Sequence, residues 1–230
     1  MSRFFIKVFV PGPFFEPLTY SSDKPIEAGL RVKAPLGSRE IVGISAGEAS
    51  EPQDLSTIKS ILEVLDDAPV IDPSHHALIR FASDYYLAPA GDLLLSSLPA
   101  AIRKGKPFPL AKTEQGQSQP PHYPLTDEQQ HAIDCVNQAS GDFQCFLLQG
   151  VTGSGKTQVF SELIRKTLER GKQVLLLVPE IGLTGQMVTR IQQQLTGTLA
   201  VSHSGLADGA RAKAFVAASQ GTADVLIGTR

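Results

Sequence analysis

Residues 145–168 read CFLLQGVTGSGKTQVFSELIRKTL, and this stretch decides the fold of the C-terminal half. A short apolar run at 145–148 precedes a glycine-rich turn at 150–157. That turn matches G-x-x-x-x-G-K-[ST] at every fixed position. Val159, Phe160, Leu163, Ile164 and Leu168 then recur at helical spacing, and Gly171 stops the run. A buried strand, a glycine loop and a helix in that order form a cradle for phosphate. Gly150, Gly153 and Gly155 let backbone amides approach phosphate oxygens closely, and the helix N-terminus adds its dipole and unpaired amides. Lys156 reaches the β- and γ-phosphates, and the Thr157 hydroxyl is a magnesium ligand. The candidate nucleotide site is therefore Gly150, Val151, Thr152, Gly153, Ser154, Gly155, Lys156 and Thr157, with Lys156 and Thr157 as its catalytic members.

The alternation continues around this stretch. A helix is expected near 128–137, ahead of the loop. After it come a strand at 174–178, a helix near 184–195 and a strand at 199–201. A helix capped by Asp208 and running through Ala218 follows, then a strand at 225–227. The run at 174–178 is continuously apolar, as expected of a strand buried on both faces. Strand and helix alternating at this spacing imply a parallel α/β sheet with right-handed crossovers.

The N-terminal half is patterned differently. Ile6, Val8 and Val10 share one face of a short strand, Leu30 and Val32 mark a second, and Ile41, Val42 and Ile44 a third. The run from Ile58 to Leu65 reads as either strand or helix. Asp72-Pro73 opens a helix with an apolar stripe that includes Leu78, Ile79, Phe81, Tyr85 and Tyr86, and a second helix is expected near 92–103. Tyr85 and Tyr86 are expected in a core, and His75 and His76 on a helix surface. Between the halves, 106–124 holds five prolines and three glutamines and reads as an extended, exposed linker.

Composition excludes several classes. The 230 residues are 42% hydrophobic and 19% charged, which is globular and argues against wholesale disorder. No apolar run is long enough for a membrane span, and the start reads as a strand and not a signal peptide. Cys135 and Cys145 form no CxxC and suit a reducing cytoplasm. The net charge is −2, so charge alone does not imply a nucleic-acid partner.

The strings around the loop carry a resemblance. Residues 125–129 (LTDEQ), 150–157 (GVTGSGKT), 177–184 (LVPEIGLT), 203–206 (HSGL) and 227–230 (IGTR) occur in order. Together they resemble the primosomal replication-restart DNA helicases of superfamily 2. In the first half, Leu18-Thr-Tyr20, Gly29-x-Arg-Val32, Pro35-Leu-Gly37 and the run from Ile58 to Asp66 resemble the N-terminal domain of the same family.

The resemblance implies an α/β protein. A small β-rich DNA-binding domain (1–105) would capture a DNA 3′ end, and the linker (106–124) would lead to an incomplete RecA-like parallel lobe (125–230). The implied activity is ATP-dependent 3′→5′ unwinding that restarts replication at stalled forks. Implied partners are forked and single-stranded DNA, single-strand binding protein and primosome proteins. ATP and magnesium are the implied cofactors. The family's zinc-binding cysteines are not in these residues.

By the same resemblance Leu18, Thr19, Gly37 and Lys59 form the 3′-end pocket, and Gln129 recognises adenine. Glu180, Thr184, His203, Thr229 and Arg230 touch DNA. Each has a plainer reading: Gln129 as an exposed helix glutamine, Thr184 as a helix cap with Glu180 beside it, His203 as the end of a strand, Lys59 as a solvated residue. Many family members carry an acid where Thr19 stands, Glu where Gln158 stands and Pro where Gly185 stands.

Two departures bear on activity. The linker occupies the place of the family's winged-helix domain, and no Walker B motif or second lobe is present. The segment is therefore expected to be an N-terminal piece that neither hydrolyses ATP fast nor unwinds DNA alone. A non-enzymatic module that binds fork ends or nucleotide is the alternative.

Overall fold

The computed structural model describes residues 3–109, 111, 113–116, 124–139, 143–179, 188–189, 192–193, 195 and 197–229. The chain forms two compact units, Met1–Phe108 and Pro109–Arg230. No helix among the described residues is long and apolar enough to cross a membrane.

Unit 1 is built on five strands: β1 (Phe4–Phe9), β2 (Leu18–Ser22), β3 (Arg31–Leu36), β4 (Arg39–Ala49) and β5 (Glu63–Val64). They pair antiparallel in the order β2-β1-β4-β3-β5. The ambiguous run from Ile58 to Leu65 is extended, and it joins the two edges of this sheet. Val64 pairs with Val32 of β3, while the Ser21 amide of β2 donates to the Lys59 carbonyl and the Ile61 amide to the Ser21 carbonyl, both at 2.9 Å. The sheet therefore closes into a barrel through one parallel bridge, Ser21 to Ser60, which covers the β2 edge at that point. Inside sit Ile6, Val8, Val10, Tyr20, Ile26, Leu30, Val32 and Ala34. The apolar alternation of β1 thus lies on the inner face, as the sequence implies. Gly37, with φ +62°, starts the two-residue turn between Leu36 and Arg39, where a positive φ is required.

Three helices follow: α1 (Pro73–Tyr86), α2 (Ala90–Ser96) and α3 (Ala100–Arg103). Asp72 caps α1 by accepting from the His75 amide at 2.8 Å, and Pro73 occupies the first turn. The helix expected at 92–103 is two short helices. Pro99 stands at the N-cap of the second and cannot donate to a continuing ladder. Arg31 ties these pieces together although it is only 1% exposed. Its guanidinium binds Asp66 at 2.6–3.1 Å, donates to the carbonyls of Ile102 (2.7 Å) and Lys106 (2.8 Å), and lies 4.6 Å from the Phe108 ring centroid. Residues 106–108 of the expected linker are thereby gripped by unit 1.

Unit 2 holds β6 (Glu114–Gln115), α4 (Asp127–Gln138), α5 (Lys156–Glu169), β7 (Val174–Leu177), β8 (Thr198–Ser202), α6 (Asp208–Ser219) and β9 (Val225–Gly228). The sheet order is β6-β8-β9-β7, with β7, β9 and β8 parallel. From the expected linker, β6 pairs antiparallel with β8. Ile164, Leu195, Leu199, Val225 and Ile227 form the core.

Three expectations for unit 2 are corrected. Residues 145–148 are not a strand: Leu147 is 91% exposed and Phe146 46%. Among the described residues β7 pairs only with β9, so no ladder runs along its other side to hold them. The strand β7 is also covered on one face only, not on both as expected. Val174 and Leu176 pack on the core, while Leu175 and Leu177 stand out. The N-cap of α6 is Ala207, and Asp208 is the first helical residue, paired with Arg211 one turn on. The helix expected near 184–195 falls largely outside the described residues.

Candidate functional site: the nucleotide loop and the end-binding face

The loop meets its helix at Gly155, the N-cap of α5, in a left-handed conformation with φ +79°. Gly153 is left-handed too, with φ +83°. No side chain caps α5, and the Gln158 amide donates to the Gly155 carbonyl at 2.9 Å. Lys156 Nζ donates to the carbonyls of Gly150 (2.6 Å) and Val151 (2.8 Å), which draws the ammonium over the loop. Val151, Thr152, Gly153, Ser154 and Thr157 are exposed. The loop fits a nucleotide phosphate: it offers paired left-handed glycines, the N-terminus of a helix and one ammonium. No atom lies within 4 Å of where a Cβ on Gly153 would stand.

Gln129 is brought to this loop. It is the third residue of α4 and completes a capping box with Thr126: Thr126 Oγ1 accepts from the Gln129 amide, and Gln129 Oε1 accepts from the Thr126 amide at 3.0 Å. The same side chain's Nε2 donates to the Ser154 carbonyl at 3.2 Å. Both ends of its side-chain amide are thus held by backbone groups. Glycine suits position 155 through its left-handed backbone, and a Cβ there would also displace the Gln129 amide from its place.

In unit 1, Lys59 Nζ donates to the Gly37 carbonyl at 2.9 Å. The hydrogen bonds of Ser21 to Lys59 and Ile61 hold this segment beside β2, the strand that carries Leu18 and Thr19. Leu18 packs on the barrel core, while Thr19 alternates to the other face. Tyr20 Oη donates to the Pro35 carbonyl at 3.1 Å and so ties β2 to the approach of the Gly37 turn. Burial raises its phenol pKa above the ordinary value. Leu18, Thr19, Gly37 and Lys59 thus come from three segments of one closed sheet.

Of the other DNA-contact candidates, His203 directly follows β8 and Thr229 directly follows β9. These parallel neighbours pair Ser202 with Gly228, so both residues leave the sheet at the same end. Glu180, Thr184 and Arg230 lie outside the described residues.

Comparison with known proteins gives the family of each unit. Residues 7–99 match a family model described as 3'DNA-binding domain (3'BD), and residues 126–230 match one described as DEAD/DEAH box helicase. The chain is 36% identical over 188 residues to the replication restart protein PriA of Treponema pallidum, covering 80% of this chain and 28% of that protein. This chain belongs to the PriA family.

The PriA of Helicobacter pylori is 31% identical over 214 residues, 93% of this chain and 32% of the relative. The Haemophilus influenzae PriA is 27% identical over 302 residues, 98% of this chain and 41% of the relative. The chain thus spans less than half the length of these relatives. The last alignment is longer than the 230-residue chain, so that PriA carries at least 72 positions with no counterpart here (302 less 230).

The sequence reading missed three features. Arg31 and Asp66 are 35 residues apart, and no local pattern joins them. Tyr85 and Tyr86, expected in a core, are 68% and 69% exposed. Only Ile79 and Ser83 of α1 are buried, so the aromatic side of the helix is left bare. His76 is half-buried: its ring centroid lies 5.7 Å from that of Phe9, and its Nε2 is buried without a partner. Burial, and then the neighbouring His75, lower its pKa, against the opposing pull of Asp72.

Proposed function

We propose that this chain is the fork-recognising and nucleotide-binding part of an ATP-dependent 3′→5′ DNA helicase that restarts replication at stalled forks. The observation that carries the reading is the Gln129 contact to Ser154: it joins a residue suited to base recognition to a phosphate-binding loop, in a chain whose other unit belongs with 3′-end-binding domains. Unit 1 would hold the leading-strand 3′ end at Leu18, Thr19, Gly37 and Lys59. In unit 2, loop amides would orient the phosphates, Lys156 would pair with their charge, and Thr157 would offer its hydroxyl to magnesium. ATP and magnesium, when bound, supply the phosphoanhydride and the divalent charge. Glu180, Thr184, His203, Thr229 and Arg230 would grip strand phosphates without reading sequence. Cytoplasmic single-strand binding protein and primosome proteins complete the proposed setting.

A second reading, a module that binds without turnover, is supported by one feature. Residues 143–149 stand outside the sheet, so the loop lacks the strand that would hold it rigid. On this basis the 230 residues alone bind nucleotide but turn it over slowly and do not unwind DNA.

The test is binding to a labelled fork with or without a free leading-strand 3′-OH, at fixed salt. Tighter binding to the 3′-OH fork, with the preference lost in Lys59→Ala, is expected. Equal binding to both forks overturns the end-recognition reading. Steady ATP turnover stimulated by forked DNA would overturn the slow-turnover reading.

A further inference from the structure

The face of the β1–β2 ribbon turned away from the barrel core carries cations and hydroxyls that the sites above leave unused. Along β1, Ile6 and Val8 point into the core, so Phe5 and Lys7 lie on the opposite face. On one flank Lys7 pairs with Thr19 and Phe5 with Ser21 of β2. On the other flank Lys7 pairs with Gly47 and Phe5 with Ala49 of β4. Arg3 extends the row. Its guanidinium carbon lies 5.8 Å from the Phe5 ring centroid, and Nη2 donates to Ser21 Oγ at 3.2 Å. Ser21, only 2% exposed, shares a 3.0 Å hydrogen bond with Ser60 Oγ, which fixes the hydroxyl that orients Arg3.

Charge and shape on this face agree. Among the described residues neither Arg3 nor Lys7 is in an ion pair. The six paired positions, Phe5, Lys7, Thr19, Ser21, Gly47 and Ala49, include no carboxylate. Glu48 pairs with Ile6 and falls between Gly47 and Ala49, so it alternates away from them. Gly47 opposite Lys7 carries no side chain and Ala49 opposite Phe5 only a methyl, with Ala28 Cβ 3.7 Å from where a Gly47 Cβ would stand, and Phe5 itself is 6% exposed, so Lys7, Thr19 and Arg3 are the groups this face offers. An ammonium outside any ion pair, beside the hydroxyl of its cross-strand partner Thr19, suits an anionic oxygen, which takes charge-assisted hydrogen bonds from both.

We propose that this strip, with Lys7 and Thr19 at its centre and Arg3 at its end, binds phosphodiester groups of a DNA strand. The proposal deepens the end-binding reading, since Thr19 belongs to both: the pocket takes the terminal sugar and the strip tracks the backbone leading to it. Lys7 supplies affinity that is independent of the end group, whereas Lys59 supplies discrimination.

The experiment is salt-dependent binding of a labelled single-stranded oligodeoxynucleotide of mixed sequence, ending in 3′-OH or 3′-phosphate, to the 230-residue chain. Lys7→Ala is expected to weaken both oligonucleotides by the same factor. It should also reduce the slope of log K against log salt by about 0.7, one phosphate contact on a single strand. Lys7→Arg keeps the slope, and Glu48→Gln, on the other face, leaves it unchanged. Unchanged affinity and slope in a folded Lys7→Ala protein overturn the proposal. So does a lost 3′-OH preference with an unchanged slope, which would assign Lys7 to the pocket. If the parent chain binds both ends equally while Lys7→Ala still lowers the slope, the end pocket is refuted and the strip stands. No binding of either oligonucleotide by the parent refutes both.

Discussion

Gln129 donates to the Ser154 carbonyl at 3.2 Å while its amide oxygen accepts from the Thr126 backbone. One side chain thus serves the cap of α4 and the wall of the nucleotide loop, and the two bonds fix which way its amide points. Gln129→Glu separates the two tasks. A carboxylate still accepts from the Thr126 amide but has no hydrogen to give Ser154. The cap is expected to survive, with the melting temperature little changed. Nucleotide affinity is expected to fall about 3–10-fold, the worth of one hydrogen bond. Titration with a fluorescent ATP analogue checks this, and unchanged affinity would show that the contact does not shape the loop.

Arg31 offers a sharper stability test. The pair with Asp66 is almost wholly buried, at 1% and 4% side-chain exposure. Arg31→Met leaves the Asp66 charge with only the residue 31 backbone amide, which donates at 2.9 Å, and strips the carbonyls of Ile102 and Lys106 of their guanidinium donor. The expected loss is about 3–5 kcal/mol, because breaking a buried pair from one side strands the other charge. Adding Asp66→Asn to Arg31→Met removes that charge and should recover part of the loss. Urea unfolding of Arg31→Met, Asp66→Asn and the double variant completes the cycle, and additive losses would mean that the pair is not coupled.

How much of this was legible in the sequence depends on the range of the interactions. The nucleotide loop was readable because its glycines, Lys156 and the helix behind them are contiguous, and the capping of α1 by Asp72 is equally local. The core face of β1 followed from alternation alone. Barrel closure was not readable, because it depends on Ser21 meeting Lys59 and Ile61 across the fold. The strand expected at 145–148 failed for a related reason. An apolar run becomes a strand only when a neighbour supplies a ladder, and none of the described residues supplies one beside β7. Tyr85 and Tyr86 failed differently: helical spacing defines a stripe, but not which stripe meets a partner.

The half-buried ring of His76, with its Nε2 inside, makes the stability of unit 1 depend on pH. Its folded-state pKa lies below the ordinary value near 6.5, chiefly through burial. The neutral ring therefore contributes stability that is fully present above pH 6.5. That contribution is lost as the pH falls through the folded-state value, because protonation then favours the unfolded chain. The unit 1 melting temperature is expected to drop between pH 7.5 and 5.5 and to drop less in His76→Phe. Parallel melting curves for parent and variant across this range would remove His76 as the cause.

Gly91 and Gly209 set helix propensity against packing. Both lie in helices, where alanine is favoured over glycine by up to about 1 kcal/mol. At Gly209 nothing lies within 4 Å of a new Cβ, so Gly209→Ala should stabilise unit 2 by up to that amount. At Gly91 the Cβ would stand 2.0 Å from the Val10 carbonyl oxygen and 2.8 Å from its carbon. Those atoms are backbone just beyond the end of β1 and cannot rotate aside, so α2 must lift from this segment. Overpacking of this kind costs about 1–3 kcal/mol or more, which outweighs the propensity gain. Gly91→Ala is therefore expected to destabilise unit 1 while Gly209→Ala stabilises unit 2. Thermal melts of the two variants read the opposite signs directly, and a stabilised Gly91→Ala protein would mean that α2 does not seat on β1 as closely as the structure has it.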